Sequence, residues 1–169
     1  MRLPAVLLGL ALVLGGCGYH PMNQPGLFPA GVRSLHIALF DNRTAEAFLE
    51  STLTEAVIER FSRDRNLTLA ERPEGADAIL SGTVLGYSLA AGAYNRLDQI
   101  SEYRLTLVLQ AEVRSRADGR VLWQGSLQRS EEFPSALDKS VQEDNETAAA
   151  QVLAARLAED LHYHALADF

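Results

Sequence analysis

Between Glu102 and Arg114 the chain alternates almost without fault. Tyr103, Leu105, Leu107, Leu109, Ala111 and Val113 fall on one face, and Glu102, Arg104, Thr106, Gln110, Glu112 and Arg114 on the other; only Val108 breaks the rule. Successive side chains of a strand point to opposite faces, so this run predicts an antiparallel strand with one buried and one wet face. Asp118-Gly119 follows as a strong hairpin signal, and Arg120–Arg129, carrying Val121, Leu122 and Trp123, reads as the returning strand. A sheet with a single apolar face needs a second layer to cover it, and the rest of the chain must supply that layer.

It does so in order. Val32–Phe40 predicts a first strand, with Leu35, Ile37 and Leu39 on one face and Asp41-Asn42 as a turn. Thr44 is placed to cap a helix running to about Arg63. In it Leu49, Leu53, Ala56, Val57 and Phe61 form one stripe at helical spacing. Leu67–Ala70 reads as a short second strand, closed by Pro73, Glu74 and Gly75. Ala76 to about Ser88 reads as a third, and Leu89–Gln99 as a loop or ragged hairpin tip. Ser130–Lys139, with Pro134, reads as a loop. Ser140 and Glu143 fit a capping box opening a helix to about Ala165, striped by Ala149, Val152, Leu153, Leu157 and Leu161. The expected fold is therefore α+β: a two-layer sandwich in which a mixed or antiparallel sheet of four to five strands carries two helices on one face. Residues 32–169 are expected to form this one domain, with the sheet's outer face free for solvent or a partner.

The N-terminus is of a different kind. Arg2 is followed by the apolar run Leu3–Leu14, then Gly15, Gly16 and Cys17. A charged start, about a dozen apolar residues and a small-residue exit make a secretory signal peptide, too short to span a bilayer, which needs roughly 20 residues. Leu14-Gly15-Gly16-Cys17 resembles the lipobox of bacterial lipoproteins. The resemblance implies cleavage before Cys17, a lipid on its thiol, and usually acylation of the new amine. Cys17 is the single cysteine of the chain, so it forms no internal disulfide. Residues 1–16 are thus read as a removed signal peptide, and 17–31, rich in proline and glycine, as the lipidated N-terminus and an extended leash. Tyr19 and His20 would sit near the lipid interface. In lipoproteins of this type an aspartate after the cysteine commonly marks inner-membrane retention; Gly18 stands there instead, which points to the outer membrane.

Charge and motifs exclude more than they assign. The formal charge of −7 becomes −8 once Arg2 is removed, which argues against general nucleic-acid binding. There is no phosphate loop and no nucleophile elbow, and Glu131-Glu132 reads as a solvated run. No metal site or enzyme activity is expected. His162 and His164, two apart on a predicted helix, point in different directions and read as a frayed, solvated end. One bias stands out. Glu102–Arg129 holds five arginines (104, 114, 116, 120, 129) against three acids. Arginines on the wet face of a hairpin can meet lipid phosphates through paired hydrogen bonds, or they can simply make cross-strand ion pairs.

Several stretches together resemble the LPS-assembly lipoprotein family, LptE. They are Cys17-Gly18-Tyr19-His20-Pro21; Ile37-Ala38-Leu39-Phe40 leading into Asn42-Arg43-Thr44 and Leu49-Glu50-Ser51-Thr52-Leu53-Thr54-Glu55-Ala56; Ala76-Asp77-Ala78-Ile79-Leu80-Ser81-Gly82-Thr83-Val84; Glu102-Tyr103-Arg104; and Leu122-Trp123. The resemblance implies a non-enzymatic outer-membrane lipoprotein that plugs the LptD β-barrel, helps it fold and helps deliver lipopolysaccharide to the cell surface. It carries no cofactor beyond the covalent lipid on Cys17. Arg104 and Arg114 are the candidate lipopolysaccharide contacts, chosen by strand geometry and not by the resemblance. The Ala-Asp-x-x-Leu-x-Gly pattern also suits other periplasmic adaptor lipoproteins, such as activators of cell-wall synthases or domains like the N-terminal part of TolB.

Overall fold

The computed structural model describes residues 31–167. The expected signal peptide, Cys17 and all but the last residue of the expected leash lie outside them. Six strands and two helices follow one another: β1 (Ser34–Ile37), β2 (Asp41–Asn42), α1 (Leu49–Ser62), β3 (Thr68–Leu69), β4 (Ala78–Tyr94), β5 (Ile100–Ser115), β6 (Val121–Pro134) and α2 (Lys139–Ala167). A short 3₁₀ turn, Pro73–Gly75, precedes β4. The sheet order is β3-β1-β4-β5-β6, with β2 also pairing with β4. β1 and β2 run parallel to β4, and β4, β5 and β6 are successively antiparallel. The architecture is the expected mixed-sheet α+β sandwich, with six strands instead of four to five.

The sixth strand arises where a turn was expected. β1 stops at Ile37, but the chain stays on β4: the Ala38 N–H donates to the Leu80 carbonyl and that of Arg43 to the Val84 carbonyl. The break between the two strands moves Leu39 out, 67% exposed, and turns Phe40 inward to 2%. The Phe40 ring occupies the space that a side chain at position 82 would need; a Cβ there would lie 2.7 Å from it, which is why Gly82 is glycine.

α1 begins at Leu49, not at a Thr44 cap. Asn42 has taken Thr44 for a local turn, accepting from both its N–H and its hydroxyl at 2.9 and 2.8 Å. Phe48 then enters the left-handed region (φ 66°) just before the helix. The stripe Leu49, Leu53, Val57 and Phe61 is buried as expected, and Thr54 Oγ1 accepts from the Phe40 N–H, pinning the helix to the β1–β2 break.

β4 and β6 both outrun their expected ends. β4 continues through the Leu89–Gln99 region to Tyr94 because β5 offers a partner as far as Ile100, with bulges absorbing the irregular glycines. Asn95 closes the tip by accepting from the N–H groups of Leu97 and Gln99. β6 continues to Pro134 because Phe133 stacks on Tyr103, centroids 5.9 Å apart. α2 is capped by Asp138, whose carboxylate accepts from the N–H groups of Ser140 and Val141; Ser140 is already inside the helix. Its apolar stripe is Ala149, Leu153, Leu157 and Leu161, joined by Ala154, Ala158 and Ala165, whose small size lets α1 approach; Val152 is 40% exposed.

Candidate functional site

The register of the three long strands decides which residues share the helix-free face. Across it, Arg104 stands between Ala90 and Glu132, Thr106 between Ser88 and Ser130, Gln110 between Thr83 and Ser126, and Glu112 between Ser81 and Gln124. The middle of the face is therefore polar and uncharged, built from serine, threonine and glutamine around Val108. Thr106 and Ser130 are hydrogen-bonded across the strands at 2.8 Å. Across β4, β5 and β6 charge is confined to the two ends; beside them Asp41 of β2 stands exposed in register with Thr83.

Arg104 and Arg114 mark those ends, and each has a carboxylate partner. Arg104 donates from Nε and Nη2 to Glu132 Oε1, at 3.1 and 2.5 Å. Arg114 forms a two-bond fork with Glu112, 2.7 and 2.9 Å, and reaches the Gly119 carbonyl at 3.3 Å. The Glu112 hydrogen bond holds the Arg114 guanidinium charged above its already high ordinary range. Ten residues along one strand separate the two arginines by about 33 Å. They cannot clamp one headgroup together.

Of the remaining arginines in that stretch, Arg129 is not on the wet face. It pairs in register with buried Leu107, and Glu131 with buried Leu105, so both charges point into the helix layer. There Arg129 donates to both oxygens of Asp160, and Glu131 accepts from Arg156. These ion pairs strap β6 to α2 over an open cleft of about 520 Å³. Arg116 turns toward the start of the domain, where its Nε donates to the Ala76 carbonyl at 2.8 Å.

Two polar contacts escaped sequence reasoning. His162 is not at a solvated end: it is 8% exposed, its Nε2 lies 3.0 Å from Asp64 Oδ2, and its ring meets the edge of Phe61. Burial pushes its pKa down, against the pull of Asp64. Tyr87 donates its hydroxyl to Glu146 on α2, and burial first, then that carboxylate, pushes its pKa up. Both pairings link residues more than fifty positions apart, so no local pattern signals them. Among the described residues no group of three or more His, Cys, Asp or Glu side chains is gathered to hold a metal, and no helix is long and apolar enough to cross a membrane.

What this frame serves is decided by comparison with known proteins. The model of the family described as LptE, lipopolysaccharide-assembly, matches residues 32–164. The chain belongs to the LptE family. It is thus a member of a lipopolysaccharide-assembly family, and the match runs from just before β1 to within the last turn of α2. A search of curated proteins found no match. Solved structures resemble this chain in fold. A protein from Xanthomonas campestris superposes with TM-score 0.59 at 14% identity, covering 85% of this chain and 88% of its own. The rare lipoprotein B from Shewanella oneidensis gives 0.53 at 12%, covering 75% and 89%. PelC from Paraburkholderia phytofirmans, a dodecamer, gives 0.55 at 13%, covering 86% and 95%.

Proposed function

We propose that this protein is an outer-membrane lipoprotein, anchored through lipid on Cys17, that plugs the lumen of the LptD β-barrel. In that position it assists assembly of the barrel and delivery of lipopolysaccharide to the outer leaflet. The family match over residues 32–164 is the observation that carries this reading. The helix-free sheet face supports it physically. Barrel lumens are polar, and a flat surface of serine, threonine and glutamine side chains can exchange water for hydrogen bonds there without stranding a charge. Acyl chains would require an apolar face, and nucleic acid a basic one.

The role is binding and not catalysis. Arg104 and Arg114 are proposed as two separate phosphate contacts for lipopolysaccharide, each exchanging its glutamate partner for a lipid phosphate through the same two-bond geometry. Cys17 carries the only covalent group. The test is to pull down the tagged mature lipoprotein from detergent-solubilised outer membranes. Near-stoichiometric recovery of an LptD-like barrel is expected. Recovery of a cell-wall synthase, or of nothing above background from well-extracted membranes, would overturn the plug reading in favour of a periplasmic adaptor.

A further inference from the structure

The described chain begins at one end of the sheet, and that end has its own character. Gly31 and Val32 line a cleft of about 270 Å³ together with Ala76, Asp77, the β5–β6 turn and Leu122. From Cys17 to Val32 there is no Asp, Glu, Lys or Arg at all; the first is Arg33. Arg116 and Arg120 of the β5–β6 turn line the same cleft, and its Asp77 holds the Arg33 N–H. Arg33, Arg116 and Arg120 are exposed.

The acids at this end face their own backbone. Asp77 accepts from the N–H groups of Arg33 and Ser34, at 3.0 and 2.9 Å, and Asp118 from the N–H of Arg120. Arg33 and Arg116 have no carboxylate ion pair among the described residues, and the Arg120–Asp118 pair is open at 4.0 Å. Arg116 is held in place by the bond from its Nε to the Ala76 carbonyl, and its charge also acts on the Asp77 carboxylate. In a chain of net charge −7 this is a local surplus of guanidinium groups.

We infer that this end of the domain docks on anionic phospholipid headgroups of the leaflet that holds the Cys17 anchor, through Arg33, Arg116 and Arg120. The inference rests on lipidation of Cys17. Gly31 lies fourteen residues beyond Cys17, and a chain of that length reaches at most about 50 Å in any conformation. The tether thus keeps the arginines within a few nanometres of the surface, at an effective concentration high enough for weak contacts to persist. Guanidinium groups pair with phosphates through two parallel hydrogen bonds. The hairpin tip at Asn95–Gln99, at the opposite end of β4 and β5, is then directed away from the membrane surface.

The test separates docking from anchoring. The mature chain carrying Cys17→Ser is floated with vesicles of phosphatidylcholine alone and of phosphatidylcholine with phosphatidylglycerol, at low and high salt. Recovery with the anionic vesicles at low salt is expected, falling roughly fivefold for each arginine removed in Arg33→Gln/Arg116→Gln/Arg120→Gln. The double variant Arg33→Gln/Arg120→Gln, which leaves the Arg116–Ala76 bond in place, is expected to fall in proportion. Equal recovery with both vesicles, no recovery with either, or a loss in the control Arg43→Gln/Arg96→Gln, placed away from this end of the sheet, that equals the loss in the double variant overturns the proposal. Lipidation is read independently, from the mass of the N-terminal peptide of protein purified from membranes.

Discussion

His162 is the residue whose surroundings say most about how the two helices are held together. Its imidazole bonds to Asp64, just beyond α1, and packs on Phe61. Burial holds its folded pKa below the ordinary histidine value of 6.5, with the positive charge of Arg60 adding to the effect. The unfolded chain therefore binds this proton more readily than the folded one. The stabilisation is complete above pH 6.5 and is lost as pH falls through the depressed folded value. Urea midpoints are expected to decline over that window, and the slope due to this group to vanish in His162→Gln. His162→Ala is expected to cost about 1–3 kcal/mol, because the Asp64 carboxylate is left buried without its donor. At this scale the sequence was a partial guide. It placed Arg104 and Arg114 correctly on the open face, because alternation along β5 is a local property. It could not reveal that Arg104 pairs with Glu132, nor that Arg129 faces the helices, because those facts depend on which residue of another strand or helix stands opposite; the Arg114–Glu112 pair, two residues apart on one face of β5, follows from the alternation itself.

Elements were readable where their periodicity was strong and ambiguous where partners extend them. The stripe of α1 and the alternation of β5 determine both structures. Leu89–Gln99, by contrast, has the composition of a loop and becomes strand because β5 is long enough to pair with it. Two-residue strands such as β2 carry no periodicity and exist only through β4. Helix starts were the least reliable feature, since Ser, Thr, Asp and Asn compete for the same role. At α2 the nearest competitor to Ser140, Asp138, takes it. Asp138→Ala is accordingly expected to lower stability by about 0.5–2 kcal/mol, and Ser140→Ala by less, in thermal or urea unfolding. The straps Arg129–Asp160 and Arg156–Glu131 are about half exposed on their arginine side, so each is expected to add no more than about 1 kcal/mol.

As a whole, the molecule is polar from end to end in the geometric sense: the described chain begins at one end of the long strands, and the Asn95–Gln99 hairpin closes the other. That tip presents Leu97, 77% exposed, and Tyr94, 63% exposed. If the domain enters a barrel tip first, Leu97→Asp is expected to leave the unfolding midpoint within about 0.5 kcal/mol while lowering recovery of the barrel in the pull-down. Unchanged recovery would argue that the tip lies outside the contact. β6 adds a consequence for the chain as it folds. As the last strand of the sheet it presents fourteen residues of unpaired backbone edge, a template on which a second chain could add a strand. Arg129 and Glu131, turned inward along that edge, would be stranded beneath any strand laid over them. Their counter-charges come from α2, so the edge is guarded only after the last helix has docked. Before that moment a newly made chain is open to self-association along this edge; afterwards the inward-turned charges guard it.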